Sequence, residues 1–271
     1  MRTSRRTLFT AGAAIAVLIS GCSSTDAPAT QPSSTTTSAT PTASQPDRAD
    51  RATEDADLAV VKKIFTTDPP GLQAGQQAVI ARTAADGDLV AVHWHETADP
   101  SQPWSGRAHI DLYRLAGGKV TSHWALAQDV PASGASGHTM FDDAYPATGA
   151  PPGEEGEETQ RAFAVGAYDT LFRDQDPSVL DRSFDPGYLQ HNPLVPDGTA
   201  SLKQFFAGAA FPPQESAVSL SDGDLVWTFS RPVGSPNPQD ITAGDVFRVA
   251  GGKIVEHWDV VPTAAVAPTT D

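Results

Sequence analysis

His257 and Asp259 flank Trp258, Asp245 lies in the run Gly-Asp-Val-Phe-Arg, and Tyr188 to Pro193 reads YLQHNP. These are the residues of the chain best suited to moving protons. An imidazole that titrates near neutrality can take a proton from a carbon beside a carbonyl, which places His191 first among the candidate bases. Tyr188, Gln190 and Asn192 would orient a polar ligand by hydrogen bonds. His257 and Asp259 would act as a coupled acid/base pair or as a structural hydrogen bond. YLQHNP also has a plainer reading, since Asn before Pro is ordinary turn chemistry. Alternation along an extended run sends Tyr188 and Gln190 to one side and Leu189 and His191 to the other. A bend at Pro193 is then expected to turn His191 or Asn192 toward a pocket mouth, with His191 and Asp245 bordering one cavity.

The elements that must position these residues occur in two unequal sets. DGDLVAVHWH (Asp86 to His95) matches DGDLVWTFSR (Asp222 to Arg231), and Ile110 to Pro131 matches Gly244 to Ala265. Asp-Gly-Asp and Gly-Gly-Lys are turn signals between alternating apolar runs, so each set predicts a meander of antiparallel strands. Alternation gives one face to Asp245, Phe247 and Val249, and one face to Val255, His257, Asp259 and Val261. Trp124 and Trp258 fall on the opposite, outer face, which suggests sheets packed outer face to outer face as a pseudo-dimer. Ahead of the second meander, helices are predicted over 158–173, over a short stretch through Arg182 that Asp176-Pro177 starts, and over 199–207. The first set keeps only an echo of the last of these, over 58–65.

Helices followed by a sheet, with YLQHNPLVPDGTASLKQFF and DVFRVAGGKIVEHWDV in that order, resemble the SnoaL-like polyketide cyclases and predicted aldol-condensation-catalysing proteins of the nuclear-transport-factor-2-like superfamily. The resemblance spans about 158 to 261, and in the first set the strands and the tail Ser136 to Phe141. It implies an α+β fold of tandem cone-shaped domains with curved antiparallel sheets, the first copy lacking its N-terminal helices. Ketosteroid isomerases of this fold carry an Asp-x-aromatic-Arg stretch that Asp245 matches, which implies a pocket-facing neutral acid with Phe247 beside it. A carboxyl among apolar neighbours loses hydration on ionising, so its pKa rises. Fold alone implies no chemistry, because this cone hosts isomerases, cyclases, hydrolases and binders.

Composition bounds the rest. The 271 residues are 39% hydrophobic with a formal charge of −15, a surface that repels nucleic acid and anionic headgroups. Arg2, Arg5 and Arg6 precede an apolar stretch, Leu8 to Ser20, too short to span a bilayer, and Ile-Ser-Gly leads into the lone Cys22. This resembles a bacterial lipoprotein signal, which implies removal of 1–21, a lipid on Cys22 and an exported chain anchored to the outer face of the cell membrane. Ser4 to Phe9 also looks like a twin-arginine signal, leaving the export route open. A Ser/Thr/Pro-rich stretch predicts a disordered tether over 22–56, followed by a truncated domain over 57–143, a linker over 144–157 and a complete domain over 158–268.

Each set holds part of a polar constellation. His93, His95, His109, Asp111 and His123 are expected on one face of the first sheet, where imidazoles could ligate a divalent metal, although His-x-His on a strand is a weak pattern. No metal and no cofactor is assigned. Three functions stay open: an acid/base enzyme on a small carbonyl or polyketide-like substrate, a lipoprotein holding an apolar ligand without turnover, and a scaffold with vestigial pockets. The anchor has its own test. Cys22→Ala should move the protein from membranes to the soluble fraction, and unchanged retention would remove the lipoprotein reading.

Overall fold

The computed structural model describes residues 46, 50–146, 151–208, 211–237 and 239–262. The leader, Cys22 and most of the expected tether lie outside them. The first helix, α1 (Arg51–Thr67), begins inside the stretch expected to be tether. Asp50 starts it, its carboxylate accepting from the Thr53 N–H at 2.8 Å and satisfying a donor that has no partner within the helix. Val61 and Phe65 lie on its buried face, and the Phe65 ring meets Trp94 edge-on at 5.4 Å.

Beneath α1 run β1 (Gln77–Asp86), β2 (Leu89–Thr97), β3 (Arg107–Ala116) and β4 (Lys119–Asp129), an antiparallel meander in sequence order. The β3–β4 turn holds Gly117 and Gly118 at φ 58° and 73°. Both central residues of such a hairpin turn need positive φ, which only a residue without Cβ adopts at no cost.

The second half opens with α2 (Glu154–Phe172), so the expected linker ends at Gly153, and Ala164, Ala167, Tyr168 and Leu171 form its buried stripe. That spacing of three and four is one face of a helix. Then follow α3 (Val179–Ser183), β5 (Phe184–Gln190), α4 (Thr199–Gly208), β6 (Gln214–Asp222), β7 (Leu225–Pro232), β8 (Ala243–Ala250) and β9 (Lys253–Val260). The sheet order is β5-β9-β8-β7-β6. Strands β6 to β9 are antiparallel, but β5 runs parallel to β9 with Gln190 beside His257. The expected all-antiparallel sheet thus gains a parallel edge, which the long connection from β5 through α4 and three strands permits.

The two sheets share one apolar core. Ile110, Trp124 and Leu126 from the first pack in the same cluster as Trp227, Phe229, Val246 and Trp258 from the second. Gly244 marks their closest approach: a Cβ there would sit 2.9 Å from both Ile110 Cγ2 and Leu126 Cδ1.

Charged groups are buried at the edge of this core. Glu256 is fully buried and its Oε1 accepts from the backbone N–H groups of Ala144 at 2.6 Å and Tyr145 at 3.0 Å. The same oxygen lies 2.9 Å from His191 Nε2, and its partner oxygen accepts from Arg248 Nε at 2.8 Å. Burial works to raise the Glu256 pKa, yet the bonds from His191, Ala144 and Arg248 hold it below the usual range. His191 is likewise opposed by burial, its largest influence, and still raised by Asp142 and Glu256. Trp258 lies between the His191 ring, stacked at 4.7 Å, and the Arg82 guanidinium, 3.9 Å from its centroid. Arg82 belongs to β1, and burial lowers its pKa to about 10. Arg82 also donates to the Phe141 carbonyl at 2.9 Å and the Trp258 indole donates to the Asp142 carbonyl at 2.8 Å, so residues 139–145, between β4 and α2, strap the second sheet to the first.

Two predictions follow from the packing of the sheets. Gly244→Ala should lose about 1–3 kcal/mol in urea unfolding, the range for overpacking a filled core. Gly166→Ala, in α2 with nothing within 4 Å of the new methyl, should gain about 0.5–1 kcal/mol. Equal effects at the two positions would contradict the close approach.

Histidines set the second. His191 is favoured in its charged form, so its contribution to stability is whole below pH about 6.5 and is lost as pH rises through its raised folded value. Burial lowers the pKa of His93, His95 and His109, so theirs is whole above pH about 6.5 and is lost as pH falls through the lowered values. The histidine contribution should therefore peak near pH about 6.5. His191→Gln should flatten the alkaline limb alone, and a variant that keeps that limb would show that another group sets it.

Candidate functional site

Between α2, α4 and the inner face of the second sheet lies a cavity of about 420 Å³. Its walls are apolar, with Leu171, Phe172, Phe184, Leu202, Phe205 and Phe206 from the helices and β5. Its polar floor comes from two neighbouring strands, Asp245 and Phe247 on β8 and His257 and Asp259 on β9. The register sets Asp245 opposite Asp259 and Phe247 opposite His257, and residues paired in this way share a face.

Hydrogen bonds fix the protons on this floor. The backbone N–H of Asn192 donates to Gln190 Oε1 at 2.9 Å, and Gln190 Nε2 donates to the Tyr188 hydroxyl at 3.2 Å. Gln190 Oε1 is therefore an acceptor, and His257 Nδ1, 2.9 Å away, must donate to it. The opposite ring nitrogen, Nε2, lies 3.1 Å from Asp245 Oδ1, so that bond holds a proton that resides on the imidazole or the carboxyl. Asn192 Nδ2 donates to Asp259 Oδ2 at 2.7 Å. Asp245 Oδ2 and Asp259 Oδ1 are buried with no hydrogen-bond partner among the described residues. Burial raises the Asp259 pKa, with the nearby Asp245 charge adding to it and His257 opposing. Burial also pushes the Tyr168 and Tyr188 hydroxyls well above the ordinary range, with the two aspartates adding to the effect.

Of the residues singled out in the sequence, Tyr188, Gln190, Asn192, Asp245, Phe247, His257 and Asp259 line this one cavity. His191 does not. It follows Gln190 in the alternation, so it faces the other sheet, where Nδ1 donates to the Thr139 carbonyl at 2.6 Å and Nε2 meets Glu256. Asn192, beyond the end of β5, is the residue that the proline bend returns to the cavity. Asp245 has the His257 imidazole as its partner rather than purely apolar surroundings, and the carboxyl that burial favours as a neutral acid is Asp259.

The polar set of the first sheet is also divided. The register pairs His93 with Ile110 and Trp94 with His109. His93 consequently lies in the inter-sheet layer, 2.5 Å from an Arg82 nitrogen, whereas His109 stacks on Trp94 under α1. His95 reaches the Ser105 carbonyl, His109 pairs with Glu96 and His123 with Asp111. These five residues do not converge on a common metal site, because a pair of directly opposed residues fixes the face of the whole strand.

Sequence reasoning missed Tyr168, Ser230, Thr242, Gln214 and Gln128 in the lining. Tyr168 carried a signal, since a hydroxyl on the buried stripe of α2 needs a polar neighbour. Gln128 carried none: it comes from β4 of the other sheet and accepts from the Val261 N–H at 2.9 Å.

Residues 165–257 match the family model of the SnoaL-like domain. No curated protein matches the chain. Among solved structures, TsrD from Streptomyces laurentii is similar at 20% identity and a TM-score of 0.30, over 36% of this chain and 87% of that one. A Bacillus cereus protein assigned as a polyketide cyclase is similar at 17% identity and a TM-score of 0.33, over 44% and 91%. Residues 165–257, which run from within α2 through YLQHNP to the Asp245–His257 pair, form a SnoaL-like domain.

Proposed function

We propose that the cavity of the second sheet is an acid/base site acting on a small neutral carbonyl compound with an apolar body, polyketide-like in character. The observation that carries this is the pair of unpartnered carboxyl oxygens, Asp245 Oδ2 and Asp259 Oδ1, on two residues of the polar floor of a cavity whose walls are apolar. No Lys or Arg lines it among the described residues, which suits a neutral ligand rather than an anion. Asp245 takes a proton from the carbon beside the carbonyl through Oδ2, with His257 bonded to its other oxygen. Asp259, held toward its neutral form, donates a hydrogen bond to the carbonyl oxygen as negative charge develops there. The enol so formed is reprotonated at carbon in an isomerisation or attacks a second carbonyl in a cyclisation. Tyr188, Gln190 and Asn192 position these groups.

The apolar walls also suit a lipoprotein that carries a ligand without turnover. The reading of Cys22 as a lipid anchor, which rests on sequence, puts either function at the outer face of the membrane. We further propose that the first sheet is a truncated copy of the second, supported by the matched DGDLV and AGGK runs in corresponding strands. It serves as the packing partner that covers the second sheet's outer face.

Hydrogen–deuterium exchange tests the chemistry. Incubated with 2-tetralone in D2O, the protein should speed exchange at the α-carbon over buffer, followed by proton NMR. Asp245→Asn should cut the acceleration by about 10²–10⁴-fold, the usual worth of a positioned general base. His109→Ala, on the far sheet, should leave it intact. Binding of the ketone with no acceleration would favour the carrier, and an equal acceleration by Asp245→Asn would refute the assigned base.

A further inference from the structure

Asp245, His257 and Asp259 each present one ligating atom to the floor of the cavity, and these atoms lie within 4.8 Å of one another. We propose that they form a binding site for a divalent first-row transition-metal ion of the zinc type. The proposal concerns the same cavity as the acid/base reading but does not depend on that chemistry.

Three features of the floor support it. The first is distance. Ligands bonded to one ion at about 2.1 Å are separated by about 3.0 Å at a right angle and about 3.4 Å at a tetrahedral angle. Asp245 Oδ1 and His257 Nε2 are 3.1 Å apart, already the edge of such a polyhedron. The second is the orientation of the lone pairs. A metal-bound histidine characteristically donates its other ring N–H to a neighbouring acceptor, which fixes the tautomer. Here His257 Nδ1 donates to Gln190 Oε1, itself fixed by the Asn192 N–H, so a neutral imidazole directs its Nε2 lone pair at Asp245 Oδ1, with the Asp259 carboxyl within 4.8 Å. Asn192 Nδ2 holds Asp259 Oδ2 and leaves Oδ1 without a partner. The third is charge. Two buried carboxylates stand directly opposite on adjacent strands, and like charges so placed repel. No Lys or Arg lines the cavity among the described residues, and a divalent ion would balance both.

One imidazole nitrogen with two carboxylate oxygens suits zinc, cobalt(II) or manganese(II) better than magnesium or calcium, which take oxygen ligands. The cavity above the floor leaves coordination positions for water or for a ligand oxygen. This trio is distinct from the histidines of the first sheet, which are paired elsewhere.

The experiment uses the full chain, produced without a polyhistidine tag and stripped with EDTA. Titration with Zn2+ by calorimetry should show one equivalent bound, and Co2+ should give the visible absorption of a low-symmetry site. Gln190→Ala, which removes the acceptor behind His257 along with the bonds of Gln190 to the Asn192 N–H and the Tyr188 hydroxyl but none of the three ligating groups, should weaken Zn2+ binding by about 10–100-fold. Asp245→Asn combined with Asp259→Asn should abolish it, while His109→Ala with His123→Ala should leave it unchanged. Absence of one-equivalent binding by the unaltered chain would overturn the proposal, as would binding that survives the double aspartate replacement. Tetralone exchange in EDTA separates the two readings of the cavity. Exchange that persists without metal upholds the acid/base assignment even if Zn2+ does not bind, and Zn2+ binding upholds the metal site even if no exchange is seen.

Discussion

Glu256 is a carboxylate with no exposure to water, and the second half of the molecule is organised around satisfying it. An unpaired charge in such a place would cost several kcal/mol, on the order of what a whole domain has in reserve. Its four partners among the described residues come from β5's end, β8 and the segment before α2. Holding that charge therefore holds the edge strand, the neighbouring strand and the strap in one arrangement. Glu256 also fixes the phase of β9. With Glu256 and Trp258 turned to the other sheet, His257 and Asp259 must face the cavity.

The cavity floor is thus rigid for reasons found on its back. Floor and interface share β9, so a shift that misplaced His257 would also disturb the Glu256 pair and the Trp258 stack. Catalytic and binding geometries tolerate errors well below an ångström. A strand whose odd and even positions are both fully used meets that requirement without extra machinery.

The polar floor was largely legible in the sequence because it rests on period two. Asp245, Phe247, His257 and Asp259 share a cavity as their alternation requires, and Tyr188 with Gln190 follows the same rule. His191 departs from the expected cavity mouth because strand parity, and not chemical aptitude, sets which way a side chain faces. The first-sheet histidines failed for a different reason: parity within one strand was right, but the register between β2 and β3 could not be read, and His93 fell opposite Ile110. The start of α1 was hidden because Arg51 to Ala56 is as polar as the sequence before it, and its helix depends on the Asp50 cap and on ion pairs that Arg51 makes with Glu157 and Asp222. Such partners are distant in sequence and leave no local trace. Gln128 in the cavity lining belongs to the same class.

The strap has a consequence for the order in which the chain acquires its shape. A ribosome delivers β1 to β4 and the strap first, with Trp124, Ile110 and Leu126 forming an apolar face whose cover is the sheet of β6 to β9. Domains fold as units during synthesis at about 5–20 residues per second, N-terminal parts first, and uncovered apolar surface invites aggregation in that interval. Until β9 emerges, the backbone N–H groups of Ala144 and Tyr145 have no Glu256 to bind and the Arg82 guanidinium no Trp258 to lie on. The nascent first half is therefore a half-interface waiting for its complement, and a ribosome that stalls before the last strand would release a sticky fragment.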